Sequence, residues 1–157
     1  MNYNTIAKSY NGLYKEEQLK KLEIIKKILR IRPSDKLLDI GAGTGISFDY
    51  FECNIIGIEP SKEMIKESKN KNIIQATAEE LPFRDNSFDI IISVTAIHNF
   101  KDYKKAIKEI KRVIKPKGKI VITLLKKSTK FEEIKKELLN NFKLKEVDEE
   151  KDTIFYN

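Results

Sequence analysis

The stretch Leu37-Leu38-Asp39-Ile40-Gly41-Ala42-Gly43-Thr44-Gly45 restricts the fold more than any other part of the chain. An apolar run ends in a turn with glycine at every second position, and a short amphipathic segment follows. A second apolar run, Ile55-Ile56-Gly57-Ile58, then stops at an acid, Glu59. This is the order of a strand, a glycine loop, a helix and a second strand. Glycine suits such a loop because a Cβ would block close backbone approach to a ligand and would strain positive φ angles.

Glu59 lies twenty residues after Asp39, about the separation expected of an acid that grips ribose hydroxyls beside a nucleoside-cradling turn. The glycine spacing separates two kinds of nucleoside binder. A dinucleotide fingerprint, counted from Gly41, needs its third glycine at position 46, which is Ile46. That argues against a nicotinamide dehydrogenase. No Lys-Ser/Thr pair follows, so a phosphate loop is also excluded; Ile46 and Ser47 stand there instead. Taken alone, the turn is also compatible with an ordinary glycine-rich bend.

The chain has 157 residues, which points to one domain spanning 1–157, long enough for a continuous core. No apolar run approaches the roughly 18 residues that span a bilayer. The start, Met1-Asn2-Tyr3-Asn4-Thr5, lacks a charged-then-apolar leader pattern, and Cys53 is the single cysteine, so a cytoplasmic address is expected. With one histidine and one cysteine, a Cys/His metal cluster is excluded and no metal is expected. The net charge of +7 is uneven: residues 101–140 carry 14 basic and 5 acidic side chains. That basic region is a candidate surface for RNA. The alternative is the solvated face of Lys-rich helices, because only four basic residues in the chain are Arg and no aromatics interleave to stack bases.

Helical spacing of Leu19, Leu22, Ile25, Ile28 and Leu29 predicts a helix over 15–31, ended by Pro33 and Ser34. Strands are predicted at 36–40 and 54–59, with a short helix at 45–51 between them. Pro60 opens a helix over roughly 61–70, with Ser61 as its cap and Glu63 in its first turn. Ile73 and Ile74 mark a brief third strand, residues 77–86 a loop, and the apolar run 88–94 a central parallel strand. A helix over 101–115 stops at Pro116-Lys117-Gly118, and the fifth strand is placed at 119–125. A helix over 129–140 and an antiparallel pair at 142–148 and 152–156 complete the chain. Alternating strands and helices predict an α/β, Rossmann-like, doubly wound fold. Its sheet would be mostly parallel and seven-stranded, with the antiparallel pair at the C-terminus and helices on both faces. Ligands in such sheets sit beyond the carboxyl ends of the strands, where the strand order switches. The glycine turn, Glu59, residues 77–79 and Ser93 all fall at those ends.

The G-x-G-x-G turn resembles the first motif of class I S-adenosylmethionine-dependent methyltransferases. Three further segments are similar to that family. Ala76-Thr77-Ala78-Glu79-Glu80-Leu81-Pro82-Phe83-Arg84-Asp85-Asn86-Ser87-Phe88-Asp89 resembles its adenine-contacting loop and fourth strand. Ile110-Lys111-Arg112-Val113-Ile114-Lys115-Pro116-Lys117-Gly118 resembles the helix end before its fifth strand. Tyr3-Asn4-Thr5-Ile6-Ala7-Lys8-Ser9-Tyr10 resembles the N-terminal lid of the branch that includes ubiquinone and menaquinone C-methyltransferases, which makes residues 1–14 a lid candidate.

The resemblance implies S-adenosylmethionine as cofactor, S-adenosylhomocysteine as product, and no metal. It implies that Asp39 and the backbone of Gly41, Ala42, Gly43 and Gly45 hold the methionine portion. Glu59, followed by Pro60, would accept the ribose hydroxyls, and Thr77 and Ala78 would edge the adenine. Ser93 would line the floor near the sulfonium, and Tyr10 would close over the cofactor. Two departures stand out. Many relatives carry Asp where this chain has Thr77, so Glu79 is expected to take over the contact to the adenine amino group, and the usual Pro-Gly-Gly turn reads Pro116-Lys117-Gly118. Simpler roles remain open at each position: Glu59 as a cap of the next helix, Ser93 as a small strand-end residue, Asp39 bonding nearby backbone.

His98, with Asn99 beside it, follows the fourth strand and is the candidate general base, being the one side chain whose ordinary pKa is near neutral. Its alternative is a packing histidine at the mouth of the site. The positions after that strand read Val94-Thr95-Ala96-Ile97 rather than Asn/Asp-Pro-Pro-Tyr/Phe, which argues against glutamine or adenine-N6 methylation. The expected partner is a methyl acceptor, with a small molecule ahead of RNA or protein. A partner subunit or homodimer could complete so small a substrate apparatus, and a catalytically silent cofactor-binding subunit is the remaining alternative.

Overall fold

The computed structural model describes the backbone of residues 3–157 and the side chains of residues 12–157. Helix α1 (Tyr3–Ile28) leads into strand β1 (Lys36–Ile40), a 3-10 helix (Ile46–Asp49), β2 (Asn54–Glu59), α2 (Lys62–Glu67) and β3 (Ile73–Gln75). Then come β4 (Phe88–Ser93), a second 3-10 helix (Ile97–Asn99), α3 (Tyr103–Val113), β5 (Ile114–Leu125), α4 (Phe131–Asn141), β6 (Lys145–Asp148) and β7 (Asp152–Tyr156). They form one seven-stranded sheet in the order β3-β2-β1-β4-β5-β7-β6. Strands β1 to β5 pair in parallel, and β7 joins β5 and β6 antiparallel. The order reverses between β1 and β4, and this switch point is where the glycine turn emerges.

The central strands read as continuous apolar runs because both faces are covered. Leu37, Ile90, Ile92, Val121 and Ile154 pack on one face against Leu22, Ile25 and Leu29 at the end of α1. Leu38, Ile91, Ile120, Ile122 and Phe155 pack on the other face against Ile107 and Ile110 of α3 and Ile134 and Leu138 of α4. Among the described residues no helix is long and apolar enough to cross a membrane.

Three of the differences from the sequence expectation bear on the site. The first helix runs from Tyr3 to Ile28 instead of 15–31, so the segment expected as a lid continues α1, and the stripe that carries it ends before Pro33. The side chains of its first nine residues, Tyr10 among them, lie outside those described. The segment after the glycine turn is a single 3-10 turn, not a helix over 45–51, because four residues cannot complete an α-helical ladder. Strand β5 begins at Ile114 rather than Lys119: Phe88 pairs with Ile114, Ile90 with Lys119, and Pro116-Lys117-Gly118 bulges between them. By contrast, α2 is capped as read, the Ser61 hydroxyl accepting from the Met64 N–H with Glu63 in the first turn.

Gly57, in the middle of β2, is where the turn closes on the sheet. A Cβ there would stand 2.7 Å from the Ala42 Cβ and 3.3 Å from the Phe48 ring. Gly57→Ala is expected to cost about 1–3 kcal/mol through overpacking. A lower urea midpoint at unchanged slope is the signature, and an unchanged midpoint would mean that the turn moves freely off the strand.

Candidate functional site

The glycine turn is built by backbone geometry that side chains avoid. Gly41, Gly43 and Gly45 have φ of 80°, 57° and 85°, all in the left-handed region. At Gly41 space is also denied, since a Cβ would come within 2.6 Å of the Ala96 Cβ. The turn is folded back onto β2: the N–H groups of Gly41 and Ala42 both donate to the Ile58 carbonyl, at 2.8 and 3.0 Å. Gly45 N–H then closes onto the Ala42 carbonyl at 2.9 Å.

Glu59, at the carboxyl end of β2, is buried and joins two segments. One carboxylate oxygen accepts the Gly43 N–H at 2.9 Å, and the other accepts the Ser61 N–H at 3.1 Å. The acid thus both clasps the glycine turn and orients the start of α2, with Pro60 exposed between the two contacts. Met64 of α2 lies over Gly43, its Cε 3.5 Å from where a Cβ would stand.

Asp39, on the β1 side of the turn, is also buried, and it accepts a hydrogen bond from the Ser47 hydroxyl. Burial pushes its carboxyl from the ordinary 3.8 up to about 6, the Ser47 bond opposes this, and the neighbouring negative Glu59 adds to it. Two acids therefore share one turn, and one of them is held in its charged state at a cost. A cationic group with N–H donors is the ligand chemistry that relieves such a pair.

Loop 77–79 reaches the same edge of the sheet. Thr77 and Glu80 form a tight bridged turn, with Ala78 buried beneath and Thr77 exposed. Arg112 of α3 holds the segment that follows, donating to the carbonyls of Phe83 and Leu81 at 2.7 and 3.0 Å, while Glu109 accepts the Leu81 N–H at 2.8 Å. The Arg112 guanidinium keeps the Glu109 carboxyl below its usual range. Glu79, expected at an adenine amino group, accepts the Asp102 N–H on one carboxylate oxygen at 3.0 Å, at the amino end of α3. That oxygen is drawn there because Asp102, the cap of α3, presents an otherwise open backbone donor.

Ser93 is fully buried and donates its hydroxyl to the Ile40 carbonyl at 2.9 Å, tying β4 to β1 directly beneath the turn. It supports the floor from below rather than offering a hydroxyl to a ligand. His98 is half-buried on the turn after β4. Burial lowers its pKa from the ordinary 6.5, Asp152 opposes this and Lys21 adds to it, so the imidazole is neutral near pH 7. Met64, Ala96, Glu109 and Arg112 were not found from the sequence. A helix-end Glu-x-x-Arg pair, at Glu109 and Arg112, was the available signal for the clamp.

A cavity of about 510 Å³ opens at the opposite, amino-terminal edge of the sheet, beside Lys36, Asn54, Asn72 and Phe88. It touches none of these site residues. Among the described residues no group of three or more His, Cys, Asp or Glu is arranged to hold a metal.

Comparison with known proteins gives a consistent result. The methyltransferase domain family matches residues 38–122, which is more than half of the chain. The uncharacterized methyltransferase YcgJ of Bacillus subtilis is 35% identical over 126 residues, 70% of this chain and 50% of YcgJ. Its crystal structure superposes with a TM-score of 0.62, covering 66% of this chain and 50% of that one. The demethylmenaquinone methyltransferase of Thermotoga maritima is 34% identical over 117 residues, 68% of this chain and 51% of that protein. The Haloferax volcanii complex between the Trm112 methyltransferase activator and its methyltransferase partner shares the fold, with a TM-score of 0.70 at 18% identity over 90% of this chain and 73% of that one. The chain spans about half the length of these sequence relatives.

Because Asp39 binds its proton more tightly in the native than in the unfolded state, its contribution to stability is complete below about pH 4. That contribution is lost as pH rises through about 6. Asp39→Asn cannot ionise. It should gain stability over the wild type at about pH 8, by on the order of 2–3 kcal/mol, and little at about pH 4. Thermal melts across that window check this; a pH-independent difference would show that Asp39 titrates normally.

Proposed function

This chain belongs to the methyltransferase domain family, and from that premise we propose that it transfers the methyl group of S-adenosylmethionine to a small-molecule acceptor that must lose a proton. One observation carries the reading: two buried acids, Asp39 and Glu59, flank a turn of three left-handed glycines at the switch point of the sheet. A ligand with a cationic end and a vicinal diol fits that donor set. Asp39 faces the cationic amino-acid end. Glu59 keeps acceptor capacity for hydroxyls, since each carboxylate oxygen accepts only one N–H. Thr77 and Ala78 edge the base, and the Arg112 clamp fixes their loop.

When bound, S-adenosylmethionine supplies a methyl group already activated by a positive sulfur. The residues of this chain are left to position the acceptor and exclude water, and orientation contributes up to about 7–11 kcal/mol in favourable cases. In this reading His98, its pKa lowered by burial, takes a proton from the acceptor. The preference for a small acceptor leans on the demethylmenaquinone methyltransferase relatives.

A second reading, an RNA acceptor, is favoured by the exposed lysines at the same end of the sheet: Lys101, Lys104 and Lys105 around the start of α3, and Lys127 and Lys130 after β5. Phosphate contacts would make binding fall with salt, log K dropping by about 0.7 per neutralised phosphate. The Haloferax neighbour makes an activator subunit a third component worth supplying.

Calorimetry with S-adenosylhomocysteine should show binding by the wild type and an affinity about 10–100-fold weaker in Glu59→Gln, the value of a charged hydrogen bond. No binding by the wild type would overturn the reading. Transfer of labelled methyl into extract fractions, separated as metabolites, RNA and protein, identifies the acceptor class. Binding without transfer into any fraction would leave a silent cofactor-binding subunit. In the same assay His98→Ala should lower turnover by about 10²–10⁴ with cofactor affinity unchanged; equal activity would remove His98 from the mechanism.

A further inference from the structure

Among the described residues, two buried side-chain polar atoms lack a hydrogen-bond partner: Nδ1 of His98 and Oδ1 of Asp152. A buried polar atom left without a hydrogen bond is costly; Asp152 Oδ1 keeps an ion pair with Lys21 at 3.2 Å, and Nδ1 of His98 is left without a hydrogen-bond partner. Asp152 is one of the two charges that act on the His98 imidazole, and Lys21 is the other. Asp152 belongs to a cluster contributed by four elements far apart in sequence.

The cluster sits at the carboxyl ends of β4 and β5, on the face covered by α1. Lys21 of α1 is 1% exposed and Asp152 of β7 is fully buried, with Lys21 Nζ 3.2 Å from Asp152 Oδ1. The other carboxylate oxygen, Oδ2, accepts two hydroxyls, from Thr95 and Thr123, each at 2.7 Å. Lys21 Nζ also donates to the Thr95 hydroxyl at 2.8 Å, and Thr123 Oγ1 accepts the Thr95 N–H at 2.8 Å. Thr95 is held at φ 51°, a left-handed conformation that a β-branched residue rarely adopts. Such strain persists only where the surroundings enforce it, and it gathers at functional sites. The strained residue precedes Ala96, whose Cβ lies against Gly41, and the 3-10 turn that contains His98.

A histidine acts as a base at Nε2 only when Nδ1 carries the ring proton, and in a buried setting that proton needs an acceptor. Asp152 Oδ1, ion-paired with Lys21 at 3.2 Å but accepting no hydrogen bond, is a buried acceptor with a lone pair to spare. We propose that Asp152 is the positioning residue for His98: its Oδ1 receives the Nδ1–H, fixing the tautomer that leaves Nε2 free to deprotonate the acceptor. The inference rests on the reading of His98 as base. No bond joins the two atoms in this structure. In the step itself, the acceptor O–H or N–H gives its proton to Nε2. The acceptor's electron pair forms the new bond to the methyl carbon, and the sulfonium sulfur keeps the pair of the broken S–C bond. The Nδ1–H stays on the ring, and the proton on Nε2 leaves to solvent after product departs. Lys21, Thr95 and Thr123 hold the carboxylate in place.

His98 is the single histidine of the chain, so its titration needs no assignment. Long-range nitrogen–proton NMR on the labelled full-length chain should show the neutral ring as the Nδ1–H tautomer. The charged groups that act on the ring are Asp152 and Lys21. Lys21→Met should raise the His98 midpoint by about 1 pH unit or more, because Asp152 then acts unopposed. Lys21→Met with Asp152→Asn removes both buried charges together, which buried pairs often tolerate. It should bring the midpoint back down and shift the neutral ring toward the Nε2–H tautomer. Identical midpoints in the single and double variants would overturn the proposal, as would a wild-type ring in the Nε2–H form, which needs no variant to observe. In the methyl-transfer assay the double variant should lose about 10–100-fold in kcat at unchanged S-adenosylhomocysteine affinity. Absence of transfer in the wild type would count against the methyltransferase reading alone, since the NMR result requires neither methyl donor nor acceptor.

Discussion

The hydrogen bond from the Gly43 amide to the Glu59 carboxylate is the contact on which the rest of the site depends. It ties the turn after β1 to the end of β2 across 16 positions of sequence. The same carboxylate takes the Ser61 amide and so directs α2, whose Met64 then lies against Gly43. The turn can approach closely enough for this because three glycines adopt positive φ and because Gly57 leaves room for Ala42. A buried carboxylate that accepts two backbone amides is well solvated by the protein. Asp39 accepts the Ser47 hydroxyl, and its pKa is raised by burial and by the charge of Glu59. The turn is thus shaped by one acid and left electrostatically short of a cation by the other.

A second constraint acts from the opposite wall. The Lys21–Asp152 pair, with two threonine hydroxyls, bonds α1, the turn after β4, β5 and β7 into one unit. Buried ion pairs contribute little net stability, but breaking one by removing a single partner costs about 3–5 kcal/mol. Such a cluster fixes geometry more than it adds stability. Here it fixes Thr95 in a strained conformation and, through it, the segment that touches Gly41 at one end and carries His98 at the other. The glycine turn and the turn after β4 are held by different networks that meet where Ala96 lies against Gly41.

Much of this was legible in the chain. Continuous apolar runs bounded by turn residues place the central strands of the sheet, and the cap at Ser61 follows from hydroxyl chemistry at a helix start. The acid after β2 is legible because a parallel pair carries its strand ends to the same edge. What was less legible depends on register and long-range pairing. The bulge at Pro116–Gly118 arises from how β5 must shift to meet β4, and no local pattern announces it. Glu79 is drawn to the cap of α3, a donor supplied 23 residues away. Ser93 turns inward because the Ile40 carbonyl on the neighbouring strand needs a donor.

The sequence by itself therefore determined the α/β class, the glycine turn and the acid that faces it, because those features rest on local backbone freedom, on apolar periodicity and on a fixed strand–helix–strand spacing. Only the tertiary structure decided that Lys21 and Asp152, 131 positions apart, share one buried cluster with Thr95 and Thr123, and that Nδ1 of His98 is buried without a hydrogen-bond partner. Charges so placed look like ordinary surface residues in a Lys-rich chain. Burial, and with it the low dielectric that makes their pairing matter, exists only after the sheet has closed.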